Sequence, residues 1–166
     1  MISTLGVVKD GYTWHEPVRR RRWWGSTLKP VTHPILDFTI DGAPLRDLEG
    51  TVEEAGGGER SITMLIDDFP HEAVSQIDHL VGTTPPDVSG GRVALLICPC
   101  FDPGCGVLSA QLVTGSGTVQ WRDLGWQRPS ESLILIQPTT TFTFDRRQYE
   151  SVLLDLRARF SALAER

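Results

Sequence analysis

Cysteine is the first scarcity. The chain has 3 cysteines in 166 residues, an odd number, and all fall between positions 98 and 105. Domains stapled by disulfides use an even set spread along the chain, so a disulfide framework is excluded. Long apolar runs are missing too. The longest, Val-Ala-Leu-Leu-Ile-Cys at 93–98, is far short of the ~20 residues that span a bilayer. The first residues carry Asp10 and neither a basic start nor an apolar stretch, so no secretory leader is read, and the cytoplasm, where thiols stay reduced, is the expected location. Positive charge is short as well. Sixteen Lys and Arg against 21 Asp and Glu leave a net charge of -5, which argues against a nucleic-acid coat. No repeat of solenoid length occurs. No serine sits in a nucleophile elbow, and Gly56-Gly57-Gly58 lacks the Lys and Ser/Thr of a phosphate loop.

What is present is globular. Hydrophobic residues make up 40% and charged residues 22%, enough for one core, so residues 1–166 read as a single domain with 1–17 a loosely ordered lead-in. Pro30 and Pro34, on either side of Thr32, mark 31–34 as a loop or edge. Residues 35–40 alternate Ile35, Asp37, Thr39 against Leu36, Phe38, Ile40, a half-buried strand that Asp41-Gly42 turns. A short helical turn is expected at 44–48 and a strand at 62–66. A helix over 70–81 follows, capped by Asp67 or Asp68 and stopped by Gly82. Strands are expected at 93–98, 107–113, 118–124, 133–137 and 141–144. The middle pair turns on Gly115-Ser116-Gly117, and 133–137 reads as buried.

The last segment carries the strongest pattern. Asp145 is an N-cap with Gln148 as capping-box partner, and Phe144 and Tyr149 stand where a hydrophobic staple would. Tyr149, Val152, Leu153, Leu156, Phe160 and Leu163 form one stripe, and Arg157, Arg159 and Arg166 suit the negative end of the helix dipole. The fold class is therefore α+β: a mainly antiparallel sheet covered by a middle helix and a C-terminal amphipathic helix.

Three groups could carry chemistry. Cys98-Pro99-Cys100-Phe101-Asp102-Pro103-Gly104-Cys105-Gly106 packs thiols, prolines and glycines into one loop. Four readings stay open. Thiolates suit zinc, with Cys98, Cys100 and Cys105 as ligands and Asp102, His15, His33, His71 or His79 as a fourth. A disulfide is the second, since extended i, i+2 residues stand about 6.6 Å apart at Cα, near the bridging limit. The third is a nucleophilic Cys105 flanked by glycines. Buried packing of small apolar side chains is the fourth.

Trp121, Asp123 and Trp126 are the second group. On a regular strand Trp121 and Asp123 share a face, and two indoles beside a carboxylate would line a ligand or partner site, unless the indoles are core. The third is Arg19-Arg20-Arg21-Arg22-Trp23-Trp24, a pattern used to bind single-stranded nucleic acid. The acidic stretch that follows, from Asp41 to Asp87, offers internal partners instead, so nucleic acid is not the expected partner.

The run from Cys100 to Gly106, with its D-x-G-C-G core, resembles a loop in a group of small bacterial proteins. The likeness continues through Trp121-Arg122-Asp123-Leu124-Gly125-Trp126 (W-x-D-x-G-W) and Phe142-Thr143-Phe144-Asp145-Arg146-Arg147-Gln148-Tyr149 (F-x-F-D-R-x-Q-Y). The resemblance covers the chain from Val93 onward and implies a shared fold and a bacterial origin. It brings no established activity.

Together these readings lead to a cytosolic, non-enzymatic binding protein of accessory or neutralising type. Its partner is a protein, basic for preference, with no membrane and no cofactor beyond zinc at the cysteines. The alternative is a thiol- or zinc-dependent enzyme centred on Cys98, Cys100 and Cys105.

Overall fold

The computed structural model describes residues 1–18, 27–48, 61–100, 103–129, 131–136 and 140–166. Arg19 to Trp24, Gly56-Gly57-Gly58, Phe101 and Asp102 lie outside the described residues. The fold is α+β with antiparallel sheets, in agreement with the sequence pattern. Among the described residues there are two sheets rather than one. The first joins β1 (Leu5–Val18), β2 (Thr27–Ile40) and β3 (Ala43–Pro44) in that order. The second runs β4 (Arg92–Ile97), β5 (Val107–Thr114), β6 (Thr118–Gln127). The far edge of β6 is shared by β7 (Ile134–Leu135) at Gly125 and by β8 (Phe142–Asp145) at Thr118–Trp121. Among the described residues there are three α-helices: α1 (Leu45–Leu48), α2 (Pro70–Val81) and α3 (Arg146–Ala164).

The opening segment departs from expectation. Residues 5–18 are not a loose lead-in but a strand paired with β2 along its whole length, Leu5 opposite Ile40 through Val18 opposite Thr27. Nor do Pro30 and Pro34 break β2. The Leu36 amide donates to Leu65 O (2.8 Å) and Pro34 O accepts from the Asp67 amide, both on the side away from β1. Pro30 and Pro34 share that parity, so the missing N–H groups cost the β1–β2 ladder nothing. Asp41 (φ 53°) and Gly42 (φ 85°) make the two-residue hairpin turn into β3, both in the left-handed region such a turn needs.

Two expected strands shrink. Residues 62–66 form no continuous strand. Ile62 bridges Ile97 of the second sheet, Ile66 bridges Ile35 of the first, and the segment ties the two together. Of the described residues 133–136 only the two of β7 form a strand; Ile134 is 45% exposed, and Ile136 is half-buried against the core, so the run is not a buried strand. Strand 35–40 errs the other way: all six residues are buried, because Leu36, Phe38 and Ile40 enter the main core while Ile35 packs on Ile62 and Ile66.

Helix α2 begins at Phe69 with no side-chain cap. Asp67 and Asp68 are engaged elsewhere, Asp67 by Arg159 (2.6 Å) and Asp68 by His33 (2.5 Å). Gly82 (φ 83°) ends the helix in the left-handed conformation, as predicted. At α3 the Asp145 carboxylate accepts from the Gln148 amide at 3.0 Å, and Phe144 and Tyr149 meet with ring centroids 5.4 Å apart. The Gln148 side chain does not complete the box. Its carboxamide accepts from Leu5 N (3.2 Å) and donates to Leu5 O (2.6 Å), tying α3 to β1. Arg157 and Arg159 answer acids around α2, Asp78 (2.7 Å) and Asp67, rather than the dipole of their own helix. One core receives side chains from both sheets, α2 and α3, including Phe38, Ile77, Leu96, Trp121, Leu153 and Phe160.

Candidate functional site

The cysteine loop is built by the register of β4 and β5. Ile97 pairs with Val107, so the chain between them must fold back on itself. Pro99 is buried, residues Pro103–Cys105 make one 3-10 turn, and Gly106 carries the chain into β5 at φ 106°. Gly106 is also pressed against the Trp126 indole: a Cβ there would stand 2.7 Å from its Nε1. Only glycine meets both demands.

This turn brings the three sulfurs together. Cys100 Sγ lies 3.0 Å from Cys98 Sγ and 3.1 Å from Cys105 Sγ, and all three sit within 4.8 Å of one another. Cys100 and Cys105 are exposed and Cys98 is half-buried. None is bridged, and they do not pack as buried hydrophobes. The contact with Cys100 pushes the Cys105 thiol up to about 12, and burial raises that of Cys98. Sulfurs this close resist ionising together without a cation between them. Arg128 Nε donates to Cys105 O (3.3 Å), holding the loop to the end of β6. Among the described residues no His, Asp or Glu joins the group. His33 is taken by Asp68 and His79 by Pro85 O, and Asp102 lies outside the described residues.

Trp121 does not face a partner. It is fully buried, edge-on to Phe38, Phe144 and Tyr149 at 5.9, 5.1 and 6.2 Å. Its indole donates to Tyr149 Oη (3.0 Å), which donates to Leu80 O at the end of α2 (3.0 Å). The expected shared face with Asp123 fails because β6 is bulged. Ser109 pairs with Gly125 but Gln111 with Arg122, and Asp123 sits at φ 52° in the extra length. The bulge shifts the parity, so Trp121 and Trp126 both point inward and Asp123 is left half-buried. Buried Arg92 fixes it, donating to Ser109 Oγ and Ser109 O (2.8 Å each) and to Asp123 O (2.5 Å). Of the three tryptophan-group residues, only Trp126 adjoins the cysteine loop, and its buried Nε1 has no hydrogen-bond partner.

Sequence reading missed two arrangements. Trp14 stacks on His33 (3.6 Å between centroids, 8° between planes) beside Phe69. Asp37 of β2 and Arg46 of α1 are both buried, with Arg46 Nε 3.8 Å from Asp37 Oδ2 and Arg46 Nη2 2.8 Å from Asp10 Oδ2. The strand pairing of residues 5–18, had it been recognised, would have placed Trp14 near His33 and Asp10 opposite Ile35. Among the described residues no helix is long and apolar enough to cross a membrane.

No family model, no curated protein and no solved structure matches this chain.

Proposed function

We propose that the protein is a cytosolic, non-enzymatic binding protein of accessory or neutralising type, in which Cys98, Cys100 and Cys105 hold a zinc ion that fixes the β4–β5 loop. The convergence of three sulfurs within 4.8 Å carries this reading. Zinc binds thiolates at about 2.3 Å in a tetrahedron, which sets sulfurs ~3.8 Å apart, so the cluster need open by less than ~1 Å to seat it. Water or a partner's side chain completes the four. The acidic balance, -5 overall, suits a basic protein partner. Kinship with the small bacterial proteins that share the D-x-G-C-G loop belongs to the same proposal. An enzyme built on these thiols would need a base beside them, and among the described residues no His, Asp or Glu joins the cluster.

Native mass spectrometry tests the reading. Protein purified from zinc-supplemented medium and passed into metal-free buffer should keep one zinc per chain. Cys100→Ser, which alters the sulfur in contact with both others, should lose it. A metal-free parent, or a Cys100→Ser variant that retains zinc, overturns the proposal.

A further inference from the structure

A second feature stands apart from the sulfur cluster. Between α2 and the ends of β4, β5 and β6 lies a cavity of about 370 Å³. That is the size that holds small organic ligands, roughly 300–1,000 Å³. Its apolar surface comes from Met64, Val88, Ala94, Ile97, Val107 and Pro129.

The polar groups around it are unbalanced. Gln76 is fully used: its amide donates to Ala94 O (3.1 Å) and Leu95 O (3.0 Å), and its carbonyl accepts from Met64 N (3.0 Å). Arg128, the one cation lining the cavity, is occupied by Cys105 O and by Glu131 (3.3 Å). His79 Nδ1 stands 2.6 Å from Pro85 O. A carbonyl only accepts, so Nδ1 carries a proton and is taken by this contact. Glu72 has no hydrogen-bond or ion-pair partner among the described residues, and Gln127 Oε1 is buried without one. Asp87 spends one oxygen on Ala94 N (3.1 Å). The Ser75 and Ser89 hydroxyls and the Gln127 carboxamide can donate as well as accept, so what is left over is charge: two carboxylates, Glu72 and Asp87, face the cavity while the Arg128 charge is matched by Glu131. A ligand matching this lining brings positive charge to the two carboxylates.

We infer that this cavity is a binding site for a small organic amine, its apolar body against Met64, Ala94, Ile97 and Val107 and its ammonium group held at the rim by Glu72. The inference does not depend on zinc at the cysteines.

Three probes with one apolar body and different ends test it: 2-phenylethylamine, 2-phenylethanol and 3-phenylpropanoate. Binding is followed by amide NMR shifts of the intact chain. The amine should shift the amides of Met64, Val88 and Ala94, the alcohol should bind more weakly, and the carboxylate should not bind. Glu72 is exposed, so Glu72→Gln should fold as the parent does, and it should weaken the amine about tenfold or more through loss of a charge-assisted hydrogen bond. Equal binding of the carboxylate, shifts confined to other parts of the molecule, an unchanged affinity in Glu72→Gln, or silence of all three probes at about 10 mM would each overturn the assignment.

Discussion

At the scale of single residues, Tyr149 does the most joining. Its hydroxyl takes the Trp121 indole proton and gives its own to Leu80 O, so one oxygen connects β6, α2 and α3 inside the core. Tyr149→Phe preserves the ring packing and strands a buried N–H and a buried carbonyl, and denaturant melts should show a loss of about 2 kcal/mol. Asp37 makes a different case. Burial, against the opposing pull of Arg46, lifts its carboxyl from 3.8 to about 6. The folded chain therefore holds this proton more tightly than the unfolded chain. The associated stabilisation is complete below about pH 4 and is lost as pH rises through 6, a change of about 3 kcal/mol for a shift near two pH units. Asp37→Asn removes this titration. Measured at about pH 4 and about pH 7, the variant's stability relative to the parent should rise with pH, and parallel profiles for the two proteins would contradict the assignment. Neither role was legible in advance. The sequence shows Trp121 and Tyr149 as aromatic, but their hydrogen bond depends on a helix and a strand 28 positions apart in sequence meeting at one point. In the sequence Gly106 is only a glycine flanking Cys105, whereas in the structure it admits the Trp126 indole.

Among the elements, α3 is the one whose sequence described it best. Cap, staple and stripe all sit where the pattern puts them, because each is a local rule that operates within one or two turns. Asp145→Ala should cost about 1 kcal/mol as a lost cap. Leu156→Ala, which opens a cavity beneath the helix, should cost roughly 2–5 kcal/mol, and equal melting of the two variants would mean that the helix is not docked as described. The strands were less readable for a physical reason. A bulge adds a residue without changing composition, so the parity of β6 after Asp123 cannot be taken from alternation alone. Likewise 62–66 has strand-like residues but divides its backbone hydrogen bonds between two sheets, a choice made by tertiary contacts. The cysteine loop lies between these cases. Its prolines and glycines announced a turn, and the strands that close it were predicted on both sides, yet only the Ile97–Val107 register shows that the turn brings three sulfurs together.

For the whole molecule, the two sheets are not separate units. Leu5 and Phe38 of the first, Leu96 and Trp121 of the second, Ile77 of α2 and Phe160 of α3 belong to one buried cluster. Unfolding should thus be a single cooperative step, with tryptophan fluorescence and far-ultraviolet circular dichroism giving coincident midpoints. Two separated transitions would show that the β1–β2 ribbon melts by itself. The α+β class was visible from composition and period, but the division into two sheets was not, since it depends on 5–18 pairing with β2. That ribbon leaves β1 as the edge of its sheet, with a row of backbone groups able to template a neighbouring chain. The first rung is already taken: the Gln148 carboxamide satisfies both the N–H and the C=O of Leu5, as a strand would. A side chain from the C-terminal helix thus serves as a plug against self-association. Loss of the Gln148 side chain alone, with the buried face of the helix intact, would be felt in solution as stickiness and turbidity, through an unsealed edge carrying exposed Val7.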